Sequence, residues 1–368
     1  MSAPGGRVSG RTRALVARGP GEALALEDIA VAPVGPGDVR VEVRAAGVCH
    51  SDLSMVNGTL TPEFPLVLGH EAAGVVAEAG SGVTRVAVGD HVVLNWSPAC
   101  RSCWFCENGE PWLCEQGGVP SVPRGSLPDG TPLHVTLGLG ALAAQVVVPS
   151  NAVVPIPTEL PFASAALLGC AVLTGFGAVR TTAGVSPGDA VAVIGLGGVG
   201  LSVVAAARAA GADPIVAVDP AEAKRDLAMR AGATEFTVPA DTLTKQVRAL
   251  TGGRGADHAF ECVGRAETIR TAWRLTRRGG AATIVGIGRR DDHVSFSAAE
   301  LFHSGRTLRS SIYGSSDPDA DLPSLVQAVL DGAFDPDLLV THRVPLDDAP
   351  AAFDRMQRGE GARTLVIP

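Results

Sequence analysis

The hydrophobic positions of this chain change their pattern part-way along its length. Up to about residue 154 they form short runs separated by Gly, Pro and Asp, as at 39–43, 74–78, 91–94 and 144–148. Short apolar or alternating runs with turn residues between them predict an antiparallel, barrel-like β domain. Residues 119–132 are rich in Pro and Gly and predict a surface loop within it.

From residue 163 the pattern becomes an alternation of strands and helices. The helices are predicted at 163–168, 173–181, 200–210 and 221–231. The strands are predicted at 190–194, 214–218, 257–261, 281–285 and 307–313. This βαβ rhythm, with fully apolar strands, indicates a doubly wound parallel sheet.

The last fifty residues leave this rhythm. A helix, a strand, a second helix and a final strand are predicted at 322–331, 340–344, 349–358 and 363–367. We expect this tail to rejoin the first domain. The predicted class is therefore α/β, with a β-barrel domain formed by residues 1–172 and 314–368 and a doubly wound domain formed by residues 173–313.

Composition narrows the class of function. A chain of 368 residues is longer than a single hydrophobic core usually supports, so two domains are expected. Its composition, 46% hydrophobic and 18% charged residues, is ordinary for a globular protein. A net charge of −8 argues against a nucleic-acid surface. No uninterrupted apolar stretch of about 18 residues predicts a membrane span, and the start lacks the apolar core of a secretion signal. We therefore expect neither nucleic acid nor a membrane as a partner.

The cysteines indicate a metal site. There are seven, and four of them follow one another closely as Cys100-x2-Cys103-x2-Cys106-x7-Cys114. Four thiolates on one loop can surround a tetrahedral Zn²⁺ and leave no position for water, which is typical of a structural site. An odd cysteine count with this spacing fits metal binding in a reducing compartment better than a disulfide framework, so a cytoplasmic location is expected.

A glycine-rich segment indicates a dinucleotide. It follows an apolar strand, opens a helix and consists of Gly195, Leu196, Gly197, Gly198, Val199 and Gly200. In this context Gly195 permits the tight turn, Gly197 lets the backbone approach a pyrophosphate and Gly200 lets helix and strand pack closely. Asp219 ends the next strand, where its carboxylate can accept hydrogen bonds from the adenosine ribose and would repel a 2′-phosphate. The predicted coenzyme is NAD.

Seven segments, spread over nearly the whole chain, share one resemblance: GVCHSD (47–52), GHEAAGVV (69–76), CRSCWFCENGEPWLC (100–114), LLGCAVLTG (167–175), GLGGVG (195–200), SIYG (311–314) and GARTLVIP (361–368). They are similar to the zinc-containing medium-chain alcohol dehydrogenases, which include the liver and yeast enzymes. The resemblance implies a GroES-like catalytic barrel and a Rossmann coenzyme domain. It also implies hydride transfer between a primary alcohol, aliphatic or aromatic, and NAD, with two zinc ions per chain and a homodimer or tetramer.

The resemblance also assigns the catalytic centre. Cys49, His70 and Cys170 would bind the catalytic zinc and leave a fourth position for water or the substrate oxygen, although each of them taken singly would more often be a buried structural residue. The residues around this zinc would be Glu71 behind it, Asp52 on the far nitrogen of His70, Ser51 at the start of a proton relay and Trp96 as an aromatic wall.

The implied coenzyme contacts fall on both domains. Thr174 and Val199 would lie against the nicotinamide, and the backbone of Val285, Ser311 and Tyr313 would hold its carboxamide. The adenosine ribose would meet Asp219 and Lys224, and the pyrophosphate would meet His50 and Arg363.

Two departures from the family leave the substrate open. Ser54 stands where liver-type members carry the histidine that ends the proton relay, and a serine is no general base near neutral pH. Gly118 stands where glutathione-dependent formaldehyde dehydrogenases carry an arginine, although Arg124 lies nearby. The alternatives are therefore a formaldehyde dehydrogenase that acts on another thiol adduct, or a catalytically silent relative that binds NAD and zinc.

Overall fold

The first part of the chain is mainly β. The structure, a computed structural model, describes residues 10–118 and 123–368. The strands of this part are β1 (Arg11–Ala17), β2 (Ala25–Val31), β3 (Asp38–Val48), β4 (Leu66–Val67), β5 (Glu71–Ala79), β6 (His91–Leu94), β7 (Gly125–Ser126), β8 (Pro132–Val135), β9 (Gln145–Pro149) and β10 (Val153–Ile156). Two short helices, α1 (His50–Val56) and α2 (Trp104–Glu107), lie between strands.

Strands β1, β2, β7, β8 and β4 close a barrel, and β3 pairs antiparallel with both β5 and β9. Alternate residues of β3, including Val39, Val41 and Val43, are buried, as expected for a strand with one face on a core. The barrel-like prediction is confirmed. The loop prediction for 119–132 is wrong in part, because Gly125–Ser126 and the first residue of β8 pair in the barrel, while residues 119–122 lie outside the described chain.

A long helix links the two halves of the molecule. It runs over Phe162–Ala183 as α3 (Phe162–Leu167), a π-helical stretch (Leu168–Val172), α4 (Leu173–Gly177) and a second π-helical stretch (Ala178–Ala183). The two helices predicted here are thus one. Within the described residues this helix alone is long and apolar enough to cross a membrane, but 83% of its most apolar window is buried inside the fold, as in a core helix.

The second half contains a parallel sheet in the order β13-β12-β11-β14-β15-β16. Its strands are β11 (Val191–Ile194), β12 (Ile215–Val218), β13 (Glu235–Thr237), β14 (Ala256–Glu261), β15 (Thr276–Ile284) and β16 (Thr307–Ser310). Its helices are α5 (Gly198–Ala209), α6 (Arg225–Ala231), α7 (Leu243–Leu250), α8 (Ala266–Leu275) and α9 (Ala298–Ser304). This is the predicted doubly wound arrangement.

The predicted strand 307–313 is too long. Strand β16 ends at Ser310, and Ile312–Ser315 form a tight turn in which Tyr313 and Ser315 have φ angles of 51° and 50°. A left-handed backbone cannot continue a strand, so the chain leaves the sheet here.

The tail consists of α10 (Pro318–Leu330), β17 (Val340–Pro345), α11 (Ala349–Gln357) and β18 (Arg363–Ile367). Helix α10 begins four residues before its predicted start, because Asp317 caps it by accepting a hydrogen bond from the Asp319 amide and Pro318 occupies its first turn. Strand β18 pairs antiparallel with β3, and β17 pairs with β18. The tail therefore rejoins the sheet of the first half, as expected.

Candidate active site

Three buried ligand-type residues meet where the two halves of the molecule join. Cys49 follows the last residue of β3 and precedes α1, and His70 immediately precedes β5. Cys170 lies in the π-helical stretch of the linking helix. Gly69 is required beside His70, since its φ is +99° and a Cβ atom there would stand 2.3 Å from the Leu142 nitrogen.

The geometry of these three residues fits a zinc ion. Their ligand atoms lie within 4.8 Å of one another, and Cys170 Sγ is 3.4 Å from His70 Nε2. A tetrahedral zinc with ordinary Zn–S and Zn–N bonds would place a sulfur and a nitrogen ligand ~3.6 Å apart. Asp52 Oδ1 lies 3.0 Å from His70 Nδ1, so the imidazole is oriented with Nε2 toward the cysteines.

The electrostatics of the cluster also fit a cation. The hydrogen bond between the two thiols lowers the pKa of Cys49 and, together with burial, raises the pKa of Cys170. Burial disfavours charge on His70, yet the neighbouring Asp52 and Cys49 raise its pKa. These buried groups compete for protons, and a divalent cation would offset their negative charge.

Glu71 and Arg363 form a second buried layer behind the cysteines. Burial raises the pKa of Glu71 to about 7, and its Oε1 accepts a hydrogen bond of 3.0 Å from the Ala171 amide. Arg363 Nε lies 3.4 Å from Glu71 Oε2, and the same guanidinium would touch a Cβ atom on Gly198. Arg363 thus stands between the zinc ligands and the glycine-rich segment.

The four clustered cysteines are arranged for a second zinc. Cys100 Sγ lies 4.0 Å from Cys106 Sγ, and Cys103 Sγ lies 3.9 Å from Cys114 Sγ. These separations match the ~3.8 Å between sulfurs of a tetrahedral Zn–S₄ site. All seven cysteines are free thiols in the structure, so no disulfide competes with either site.

The glycine-rich segment turns from β11 into α5. Gly195 has a φ of +87°, and Gly200 is so close to the strand that a Cβ atom would stand 1.8 Å from the Gly195 carbonyl oxygen. At Gly197 a Cβ atom would meet nothing within 4 Å, which leaves the backbone open for a phosphate at the helix N-terminus.

Asp219 stands at the end of β12 beside this segment and is 4% exposed. Its Oδ2 accepts hydrogen bonds from the Leu196 amide (2.8 Å) and from Lys224 Nζ (3.2 Å). The acid therefore holds the glycine-rich segment in place, and Lys224 lies next to the predicted ribose position.

Comparisons with known proteins agree with this geometry. Residues 35–158 match the alcohol dehydrogenase GroES-like domain, and residues 198–331 match the zinc-binding dehydrogenase domain. An S-(hydroxymethyl)glutathione dehydrogenase from Escherichia coli is 39% identical over 97% of this chain and 99% of its own. This chain belongs to the zinc-containing medium-chain alcohol dehydrogenase family.

Solved structures extend the likeness to the whole fold of this dehydrogenase. An alcohol dehydrogenase zinc-binding domain protein from Burkholderia ambifaria superposes with a TM-score of 0.91 at 32% identity, covering 98% of this chain and 99% of that one. Benzyl alcohol dehydrogenase from Acinetobacter calcoaceticus gives 0.89 at 27% identity, covering 97% and 99%. The protein is therefore a zinc-dependent oxidoreductase with a GroES-like domain, a Rossmann domain and a nicotinamide coenzyme.

Around its zinc the dehydrogenase carries an aromatic pair. The Trp96 ring packs on Tyr313 with centroids 4.3 Å apart and meets His70 edge-on at 6.5 Å. The Tyr313 hydroxyl donates a 2.6 Å hydrogen bond to the Gly169 carbonyl oxygen, next to Cys170. The resemblance assigned only the Tyr313 backbone to the coenzyme, and nothing in the sequence pairs Tyr313 with Trp96.

The other residues assigned from the resemblance lie at the same junction. Ser51 Oγ is 3.9 Å from Cys49 Sγ, and His50 is exposed at the start of α1. Thr174 follows Cys170 by one helical turn, Val199 lies in the first turn of α5, and Val285 and Ser311 follow β15 and β16. The carboxyl ends of parallel strands are where such sheets bind nucleotides. Ser54 lies on α1 and is only 4% exposed, so it cannot pass a proton from the site to the solvent.

Proposed function

We propose that the protein oxidises primary alcohols, aliphatic or aromatic, with NAD⁺ and reduces the corresponding aldehydes. The observation that supports this is the buried set of Cys49, His70 and Cys170, with a hydroxyl donor, Ser51, at its edge. When bound, zinc lowers the pKa of a substrate hydroxyl by several units. A catalytically silent relative would not need three zinc ligands and a serine hydroxyl together beside the helix N-terminus that is accessible to a nucleotide.

The chain's own residues then have separate tasks. Asp52 holds the His70 imidazole through a 3.0 Å hydrogen bond. Ser51 would receive the hydroxyl proton of the substrate and pass it to the ribose of the coenzyme. Because Ser54 is buried and not basic, we propose that ordered water takes the proton onward to the solvent. Thr174 would press the nicotinamide toward the substrate carbon.

The pocket wall disfavours a glutathione adduct. Gly118 has a φ of +63°, and a Cβ atom there would stand 3.1 Å from the Trp96 ring. A side chain at position 118 would therefore press on the indole, and the glycine present there offers no cationic anchor. The neighbouring Arg124 already forms an ion pair with Asp38, with its Nη1 atom 3.1 Å from the carboxylate oxygen.

Thiol-adduct oxidation remains the second candidate, because the S-(hydroxymethyl)glutathione dehydrogenases are 39% identical to this chain. The two are separated by following NADH formation with short aliphatic alcohols, aromatic alcohols, and formaldehyde with and without thiols, including glutathione. We expect benzyl and short primary alcohols to be oxidised without a thiol. Turnover with formaldehyde that requires a thiol and exceeds the turnover with every alcohol would reject the first candidate.

Trp96 should restrict the pocket to primary alcohols. The change Trp96→Ala is expected to raise kcat/KM for 1-phenylethanol relative to benzyl alcohol by about tenfold, because the lost ring makes room for one extra methyl group. The control is Trp104→Ala, since Trp104 is 62% exposed on α2. An unchanged ratio in Trp96→Ala would show that the ring does not face the substrate.

Asp219 should set the preference for NAD⁺. Placing a 2′-phosphate beside this carboxylate brings like charges together, so we expect NAD⁺ to be preferred over NADP⁺ by about 100-fold in kcat/KM. Asp219→Asn keeps an oxygen for the Leu196 amide and is expected to narrow the preference, whereas Asp129→Asn in a barrel hairpin is not. Equal use of both coenzymes by the unaltered protein would contradict the assignment.

We also propose a homodimer, formed through the edge of the parallel sheet. Strand β16 is one of the two edge strands of the sheet; Leu308 within it and Ile312 just after it are 43% and 49% exposed. Leu308→Lys should therefore give a monomer in light scattering, whereas Val88→Lys on the barrel side should not. A monomeric unaltered protein, or a Leu308→Lys dimer, would contradict this.

The metal-binding thiols must stay reduced, which supports a cytoplasmic location as part of the same proposal.

A further inference from the structure

The turn after β16 has an unfavourable backbone. Tyr313, Gly314 and Ser315 all have positive φ angles of 51°, 73° and 50°. Residues with a Cβ atom avoid this region, and such conformations persist only where the surroundings determine them. The Ile312–Ser315 segment, called here the carboxamide turn, must therefore be held by contacts outside itself.

The linking helix holds the carboxamide turn from one side. A Cβ atom on Gly177 would stand 2.3 Å from the Gly314 carbonyl oxygen, so turn and helix are in direct backbone contact. One helical turn further, Thr182 Oγ1 lies 2.8 Å from Ser311 Oγ and 2.9 Å from Ser315 Oγ. The Thr182 hydroxyl thus bridges Ser311, which directly precedes the turn, and Ser315, the last residue of the turn.

The loop with the four clustered cysteines holds the turn from the other side. Residues Pro111–Leu113 of this loop contact Ile312–Ser315. Arg101, itself at a φ of 64°, donates two hydrogen bonds to Asp317, from Nη1 at 2.5 Å and from Nη2 at 2.7 Å, and Nη2 also lies 2.7 Å from Asp319. A bidentate arginine–carboxylate pair fixes direction as well as distance. The loop is therefore tied to Asp317 and Asp319, two and four residues after the end of the turn.

We propose that Arg101 and Thr182 are positioning residues that hold the carboxamide turn in the shape that binds the nicotinamide end of the coenzyme. This rests on the proposed function, in which the backbone of Ser311 and Tyr313 takes the carboxamide. Neither residue is assigned a contact with the coenzyme. Their effect is to keep the backbone of the turn in its left-handed conformation before the coenzyme arrives, so that binding does not have to create it.

The test compares two ligands that differ only at the nicotinamide end. The dissociation constants of NADH and ADP-ribose are measured by fluorescence and calorimetry for the zinc-loaded, full-length protein and for Arg101→Met and Thr182→Val. Each variant is expected to bind NADH about fivefold more weakly, the effect of losing one partly exposed but well-oriented interaction, and to bind ADP-ribose as the unaltered protein does. Arg101→Lys should recover part of the loss.

The control is Arg85→Met, which removes a partner of Asp319 and leaves the Arg101–Asp317 pair in place. It should bind both ligands normally, and all variants should retain two zinc ions. Equal weakening of NADH and ADP-ribose, or no weakening of either, would overturn the proposal. An unaltered protein that binds ADP-ribose but not NADH would instead reject the proposed function.

Discussion

Replacing Cys170 by serine is expected to lower alcohol oxidation by at least about 10³-fold, because zinc accounts for several pKa units in the acidity of the substrate hydroxyl. Cys170 supplies one of three buried ligands, and a serine hydroxyl is a poor replacement for a thiolate toward zinc. The zinc content should fall from two ions per chain to one. The measurements are kcat with benzyl alcohol and elemental analysis of the same preparation.

The fold should survive this change. Serine is close to cysteine in volume, and the surrounding helix is held by apolar packing of Leu167, Leu168 and Val172, all completely buried. The matched control is Cys262→Ser, since Cys262 belongs to neither cysteine cluster and burial raises the pKa of its thiol, as in an inert structural cysteine. Full activity in Cys170→Ser, or in an unaltered preparation with one zinc per chain, would contradict the assignment of two sites.

The parts of the fold that sequence predicted are those with strong periodicity. Strands β11 and β12 are four-residue apolar runs, buried throughout, and the glycine-rich segment between them has its own local signature. Helices α7 and α8 and strand β13 were not predicted, because their segments are rich in charged residues and bury only one face or one residue. Tertiary packing rather than local pattern decides such elements.

The candidate site likewise has residues that the sequence pattern predicted and residues that it did not. The four clustered cysteines can be assigned from spacing alone, because their ligands come from one loop. Cys49, His70 and Cys170 could be joined only by resemblance, since no local rule links residues from three separate elements. The pairs Arg101–Asp317 and Tyr313–Gly169 lie 216 and 144 residues apart in the sequence and were not predicted. Both pairs depend on the left-handed turn Ile312–Ser315, and the apolar pattern had predicted the first part of this turn as the end of the strand 307–313.

Replacing Cys103 by serine should act on stability first. The loop from Cys100 to Cys114 has little apolar core of its own: Trp104 is 62% exposed, and Pro111 is the one buried residue of α2 and the Pro111–Leu113 turn together. Where apolar burial is small, the free energy of metal binding becomes the free energy of folding. We expect the loss of one zinc per chain and a melting temperature ~5 °C lower, as several kcal/mol would produce in a chain of this size.

The consequences of Cys103→Ser should also differ in kind from those of Cys170→Ser. The cysteine loop carries Arg101 and contacts the carboxamide turn, so a loosened loop should weaken NADH binding while the catalytic zinc stays in place. Calorimetric melting, zinc analysis and limited proteolysis within residues 100–114 are measured together, with Cys262→Ser as the matched control. A variant that melts like the unaltered protein and retains two zinc ions would show that apolar packing, and not the metal, holds this loop.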